Sequence, residues 1–301
     1  MSGILKEFRF TVEQSGIRLD KYISEMCPDL SRTQAQRLIE DGQVTVNGNQ
    51  EKASYKLSAS DRVHVKIPSP TPSNLAPENI PVPILYEDDD VLVVDKPAGL
   101  TVHPAPGHPG HTLVNAVLSH LTTMSDEVQR PGIVHRLDKD TSGVMVIARN
   151  PVAHENLAAQ FKQHTVKKVY LALVRGRVTP EEGIIEAPIG RDTGDRKKMA
   201  ISGESRGRKA LTRYKVIQYL GNYTMLEVMP QTGRTHQIRV HLAAIGYPVV
   251  GDVTYGVKSP VLSRQFLHAH KLGFHLPTTG EYVEFTSPLP DDLEKALKAI
   301  K

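Results

Sequence analysis

The stretch Gly132–Gly143, read as GIVHRLDKDTSG, constrains this chain more than any other. Ile133 and Val134 have the character of a strand end, and Val144–Ala148 (VMVIA) is an apolar run of buried-strand length. Between them stand His135, Arg136, Asp138, Lys139, Asp140, Thr141 and Ser142 almost without a break. A charge-dense turn between two buried strands must sit at a sheet end, where loops carry function on a rigid scaffold. Asp138 is flanked by Arg136 and Lys139, so nearby positive charge favours its ionised form. An ionised carboxylate held by a cation serves as nucleophile or base. Asp-Thr-Ser-Gly is also ordinary turn chemistry, so the stretch alone leaves a purely structural role open.

Length and composition bound the rest. A chain of 301 residues holds one substantial core and a smaller domain. No apolar run approaches the roughly 18 residues of a membrane span. The N-terminus, MSGILKEFRF, has no apolar h-region, so no signal peptide is expected. The single cysteine, Cys27, excludes an internal disulfide and suits a reducing cytosol, and a cytoplasmic location is expected. The net charge is +4, but Arg191–Arg239 carries eleven Lys or Arg against four Asp or Glu. A basic segment on a near-neutral body is consistent with phosphate binding, as well as with a solvated loop such as Arg196–Lys198.

The first unit is expected over residues 16–67. Leu19, Ile23 and Met26 repeat at helical spacing, Ser31 is placed to cap a second helix, and Gly42 ends it. Val44–Val46 and Arg62–Ile67 have strand character, and Asn47-Gly48 favours a tight turn. This helix–helix–hairpin order, with RLDKYI, SRTQAQRLIEDGQVTVNG and DRVHV, resembles the alpha-L RNA-binding motif of a ribosomal small-subunit protein. The resemblance implies RNA contacts by Arg18, Lys21, Arg32, Gln36 and Arg37. Residues 68–83 follow with six prolines and are expected to be a semi-rigid linker.

From residue 84 to residue 301 a second domain is expected. Val91–Val94 has the character of a buried strand, and His111–Leu121 carries a helical stripe. Asn150-Pro151 starts a helix that runs to about His164. Strands are expected at Val166–Arg175, Ala210–Tyr219, Thr224–Met229, Phe266–Leu276 and Tyr282–Phe285. Helices are expected at Thr235–Ile245, with Ile238, Leu242 and Ile245 inward, and at Asp291–Ile300. The fold class is therefore α+β: a mixed, largely antiparallel sheet with inserted helices, behind a small helix-helix-hairpin domain.

Four stretches, in order, resemble the motifs of the RluA/RluD family of pseudouridine synthases: VLVVDKPAGLTVHP, HRLDKDTSG, VKKVYLALVRG and QTGRTHQIRVHLAAIGYPVVGD. With the alpha-L unit in front, the chain is similar to the branch that modifies large-subunit ribosomal RNA. The resemblance implies isomerisation of specific uridines to pseudouridine, with the target base flipped out of its stack. Such a reaction has no redox change, so neither cofactor nor metal is expected. It implies Asp138 as the catalytic carboxylate, Tyr170 stacked on the uracil and Arg239 paired with Asp138. Arg136 would hold the RNA. Arg234 would contact phosphate and is the second candidate partner for Asp138. Whether Asp138 attacks the ribose, adds to the ring or takes a sugar proton stays open. A monomer acting on ribosomal RNA is expected.

Other constellations carry less. His103, His108 and His111 lie in a Pro- and Gly-rich loop without a cysteine or carboxylate to complete a metal site. His268 and His270 are a weak ligand pair, Ser142 and His135 lack the GxSxG setting of a hydrolase, and Asp140 would brace the loop. The alternative to an isomerase is a non-catalytic RNA-binding ribosome-assembly factor, and a third possibility is a hydrolase using Asp138 and Asp140, which would release free uracil.

Overall fold

In the computed structural model the described residues are 4–28, 30, 32–68, 75–104, 110–121, 131–195, 198–203, 205–256 and 258–300. Ser31, His108 and the pair Arg196-Lys197 lie outside them. The chain divides into two compact units, residues 1–73 and 74–301.

In the first unit, strand β1 (Ile4–Thr11) precedes helices α1 (Leu19–Met26) and α2 (Arg32–Glu40), then β2 (Val44–Val46) and β3 (Arg62–Pro68). The helical repeat buries Leu19, Ile23, Ala35 and Ile39 against Val44, Val46, Val63 and Val65. The sheet is three-stranded, in the order β1-β3-β2. The expected start at Gly16 therefore misses a strand. Lys6, Glu7 and Arg9 give β1 the polar character of an outer strand, which masks its period. Asn47 and Gly48 adopt φ of 52° and 88°, the left-handed values of a tight turn. That turn bridges Val46 to Asn49, while β2 pairs with the distant β3.

The second unit is built on a nine-stranded sheet. Its strands are β4 (Ile84–Glu87), β5 (Val91–Lys96), β6 (Ser142–Ala148), β7 (Lys167–Arg175), β8 (Glu182–Glu186), β11 (Leu211–Leu220), β12 (Tyr223–Pro230), β13 (Leu267–His275) and β14 (Tyr282–Thr286). A separate two-stranded ribbon, β9 (Ile189–Arg191) and β10 (Met199–Ile201), lies in sequence between β8 and β11. The helices are α3 (Leu113–Val117), α4 (Pro151–Gln163), α5 (Gln237–Ala244) and α6 (Asp291–Ile300). The order across the large sheet is β4-β5-β6-β13-β7-β12-β11-β8, with β14 beside β13. All its pairings are antiparallel except β6 with β13.

Both faces of β5 and β6 are covered, which explains their unbroken apolar runs. Val91, Val93, Val144 and Val146 pack on Ala153 and Leu157 of α4. On the opposite face Leu92, Val94, Met145 and Ile147 meet Leu113 and Val117 of α3. Asn150 caps α4 through Ala153 N–H, with Pro151 in its first turn, and His164 closes it in a left-handed conformation. Helix α5 buries Ile238 and Leu242 against β7 and β12. Ile245, expected inward, is half-exposed, because α5 stops at Ala244 and turns at Gly246. Ile133 and Val134 form no strand; Ile133 makes only an isolated bridge to Ile147.

The parallel pairing of β6 and β13 lasts two residues, His268 with Ser142 and Ala269 with Gly143. On its other side Ala269 faces Tyr170 of β7, next to a bulge. Gly143, Ala269 and Tyr170 thus form one row across the centre of the sheet. Gly143 has φ +118°, and a Cβ there would collide with the Ala269 carbonyl. Gly143→Ala is expected to cost about 3 kcal/mol of stability by forcing these strands apart. Denaturant unfolding checks this, and a loss below about 0.5 kcal/mol would contradict the close approach.

Candidate active site

The turn before β6 is fixed through its backbone. Lys96, fully buried at the end of β5, donates to the carbonyls of Pro97, Leu100 and Lys139 at 2.8, 2.8 and 3.0 Å. Three acceptors match the three N–H bonds of an ammonium. Burial pulls the Lys96 pKa down to about 7, opposed chiefly by the charge of Asp140. Arg264 donates to the Asp140 carbonyl at 3.0 Å while its Nε and Nη2 clamp Asp292 of α6 at 2.6 and 2.9 Å. Gln265 reaches the Thr141 hydroxyl at 3.3 Å. The turn is thus held from behind, and Asp138 faces a cavity.

Arg239, in the first turn of α5, is buried and donates from Nη1 to Asp138 Oδ2 at 3.0 Å. Its Nε and Nη2 form a two-point bridge with Asp252 at 2.6 and 2.9 Å. Asp252 follows Gly251, whose φ of +76° and closeness to the Arg264 carbonyl leave no room for a side chain. Asp252 also accepts from the backbone N–H groups of Thr254 and Tyr255. Burial opposes both charges, yet the pairing wins: the Arg239 pKa is raised and that of Asp252 lowered. Arg234, the second candidate partner, instead donates to the Lys209 carbonyl.

Gln237 shapes the loop between β12 and α5. Its Oε1 accepts from Arg234 N–H and the Thr232 hydroxyl, and its Nε2 donates to Leu211 O and Thr212 Oγ1. His236 precedes it in a left-handed conformation, φ 56°. Its Nδ1 lies 2.8 Å from the Tyr255 hydroxyl, and its Nε2 lies 3.9 Å from Asp138 Oδ1.

Asp138, His236, Gln237 and Arg239 line a cavity of about 600 Å³ together with Arg136, Lys168, Tyr170 and Arg234, a volume suited to a small ligand or an extruded nucleoside. Burial, helped by the charge of Asp138, raises the Tyr170 pKa, so its phenol is protonated near neutral pH. Lys168, two residues earlier on β7, points the same way and donates to Gln231 O at 3.2 Å; burial pulls its pKa to about 8. Arg136 is exposed at the rim.

Several sequence readings find other roles. Ser142 pairs with His268 at 3.0 Å, not with His135. His268 and His270 converge on the Ser287 carbonyl. Among the described residues no group of three or more His, Cys, Asp or Glu is placed to hold a metal. In the first unit Arg18 and Arg32 grip the buried Asp20, to which Gln36 Nε2 also donates at 2.7 Å. The Arg18 hydrogen bonds, against burial, hold Asp20 well below the usual carboxylate range. Arg18 and Arg32 keep side chains 43% and 52% exposed, so each has a face turned to solvent. Lys21 pairs with Glu25 and Arg37 is exposed.

The profile of the family described as RNA pseudouridylate synthase matches residues 90–244, and that of the S4 domain matches residues 17–63. The chain belongs to the RNA pseudouridine synthase family. An uncharacterized RNA pseudouridine synthase of Bacillus subtilis is 46% identical, with 96% of each chain covered. The ribosomal large subunit pseudouridine synthase D of Zymomonas mobilis is 40% identical over 98% of this chain and 97% of its own. The solved structure of human RNA pseudouridylate synthase domain containing 1 matches at 30% identity with TM-score 0.56, covering 74% of this chain and 96% of that one. The protein is thus an RNA pseudouridine synthase with an N-terminal S4 domain, on an α+β fold.

Sequence reasoning missed Asp252, His236, Tyr255, Lys168 and Lys96 as parts of the site. All but Tyr255 lie within the stretches that carry the family resemblance, which did not single them out.

His135 gives a pH-dependent test. Its Nε2 accepts the Val146 N–H at 3.1 Å and its ring stacks on Phe161, so it must be neutral. Burial, with the charge of Lys168, pulls its pKa to about 3. Between pH 6.5 and 3 the unfolded chain binds the extra proton, so native stability is lost as pH falls through that window, by roughly 1 kcal/mol per unit. In His135→Gln that component of the acid slope is expected to vanish, as urea unfolding at pH 4 to 7 would show.

Proposed function

We propose that this enzyme converts specific uridines of large-subunit (23S) ribosomal RNA to pseudouridine, with Asp138 as its catalytic carboxylate. The observation that carries this is the placement of Asp138 in the cavity: Oδ2 is held by Arg239, itself locked by Asp252, while no described donor bonds Oδ1. The name of the Zymomonas mobilis relative supports the ribosomal substrate.

The reaction breaks the C1′–N1 bond, turns the uracil and forms a C1′–C5 bond. The C5 proton leaves and N1 ends protonated, so atoms and electrons balance without an external reagent. Asp138 Oδ1 is the oxygen available to the reacting nucleoside. Tyr170, which lines the cavity with Asp138, stacks on the uracil, and its protonated phenol acts as a donor. A base inside a duplex cannot reach such a cavity, so the nucleotide is flipped out at a cost of a few kcal/mol. Arg136 and Arg234 hold the flanking RNA backbone. The S4 unit adds phosphate contacts through Arg18, Lys21, Arg32 and Arg37. We place the enzyme in the cytoplasm, working as a monomer.

Pseudouridine mapping of 23S RNA treated with the purified protein, in buffer with a chelator, is expected to show discrete new sites. Asp138→Asn should lower the rate by about four orders of magnitude or more, and Tyr170→Phe by about a hundredfold. Tight RNA binding by both proteins with no pseudouridine from either would point to a ribosome-assembly factor, and release of free uracil would point to a hydrolase. For the S4 unit, Arg37→Ala is expected to reduce the slope of log affinity against log salt by about one without changing site choice. An unchanged salt slope would remove Arg37 from the interface.

A further inference from the structure

The hydroxyl of Tyr255 accepts the backbone N–H of Met199 at 2.7 Å. An N–H only donates, so that bond uses one of the hydroxyl lone pairs. Among the described residues, the other group within hydrogen-bond distance is His236 Nδ1, at 2.8 Å. Nδ1 is thus the one acceptor, among the described residues, for the hydroxyl proton, which assigns the proton of the neutral imidazole to Nε2. That nitrogen faces Asp138 Oδ1 from 3.9 Å, beyond hydrogen-bond range, while Oδ2 is taken by Arg239.

We propose that Tyr255 is a positioning residue for the reaction: its hydrogen bond to Nδ1 holds the neutral His236 ring back, with Nε2 3.9 Å from Asp138 Oδ1, and so keeps Oδ1 free for the nucleoside. This rests on the reading of Asp138 as the reactive carboxylate. An imidazolium in place of the neutral ring would close on Oδ1 as a charged donor and occupy the reacting oxygen. Tyr255 opposes that state, because an N–H on Nδ1 would leave its hydroxyl proton without an acceptor among the described residues. The groups facing His236 are Arg136 and Asp138 from the turn before β6, Arg239 from α5, and Asp252 and Tyr255 from the loop after it. Burial, with Arg239 and Arg136, outweighs the two carboxylates and keeps the ring neutral. Edge-on packing of the two rings, centroids 5.6 Å apart, fixes the geometry. Met199 belongs to β10, paired with Arg191 of β9, so this ribbon is bonded to the same hydroxyl.

The test compares kcat–pH profiles of the full-length protein, Tyr255→Phe, His236→Asn and the double variant. Asn tolerates the left-handed backbone of position 236. Tyr255→Phe is expected to move the acid limb upward by about one pH unit, a tenfold loss on that limb. In the His236→Asn background the same change should leave the limb in place. A pH-independent drop in Tyr255→Phe, or an equal shift without His236, would overturn the proposal. On the unaltered protein, ¹⁵N NMR of the histidines, with His236 assigned through His236→Asn, should place its proton on Nε2; a proton on Nδ1 overturns the proposal even if Tyr255→Phe fails to fold. Activity retained by Asp138→Asn would sink the catalytic reading instead, leaving the tautomer assignment to stand on the NMR.

Discussion

The Arg239 guanidinium lies between two carboxylates of unequal standing. A buried arginine is costly unless its donors are used, and one carboxylate can take only two of them in a fork. Asp252 is that partner: it is buried, receives both Nε and Nη2, and is itself held by two backbone N–H groups. The remaining edge carries one bond to Asp138. Were Asp252 missing, the fork would turn onto Asp138, and both of its oxygens would be engaged. The division of labour, with one acid to hold the cation and one to be presented by it, sets the character of the cavity.

The scaffold around this pair answers to the same need. The charge-rich turn has one buried apolar anchor, Leu137, and is otherwise pinned through its backbone. Lys96 gathers carbonyls from two loops, and Arg264 ties the turn to α6 through Asp292. Gly143 lets β6 and β13 approach for two residues before they diverge. On the other side of β13, Tyr170 and Lys168 of β7 line the cavity.

What the sequence made legible follows from how local each signal was. Asn150, Pro151 and the helical stripe after them marked α4 closely, because capping is a matter of adjacent residues. The VMVIA run announced a buried strand because both its faces are covered. By contrast, β1 was hidden by the charges of an outer strand, and Ile133-Val134 had strand character but no partner beyond one bridge. At the site, Asp138, Tyr170 and Arg239 were put forward through motif resemblance rather than by composition, and the fold brings all three to one cavity. Asp252, His236 and Tyr255 act through contacts that exist only after folding, and no spacing announces a tautomer. Arg18 and Arg32 were put forward as RNA contacts, while Asp20, the buried acid that both of them grip, gave no local sign of that role.

The bond between Asp138 and Arg239 also dictates when the site comes into being. The two residues are 101 positions apart, and the carboxylate that steadies Arg239 lies a further 13 along. A chain emerging from the ribosome therefore carries the whole HRLDKDTSG stretch long before anything can orient its acid. Until residues 239 to 252 have been synthesised and packed, Asp138 is one solvated aspartate among many. Translation thus delivers the S4 unit first and the Asp138–Arg239–Asp252 cluster last, so the order of the chain fixes the order in which its two units can be completed.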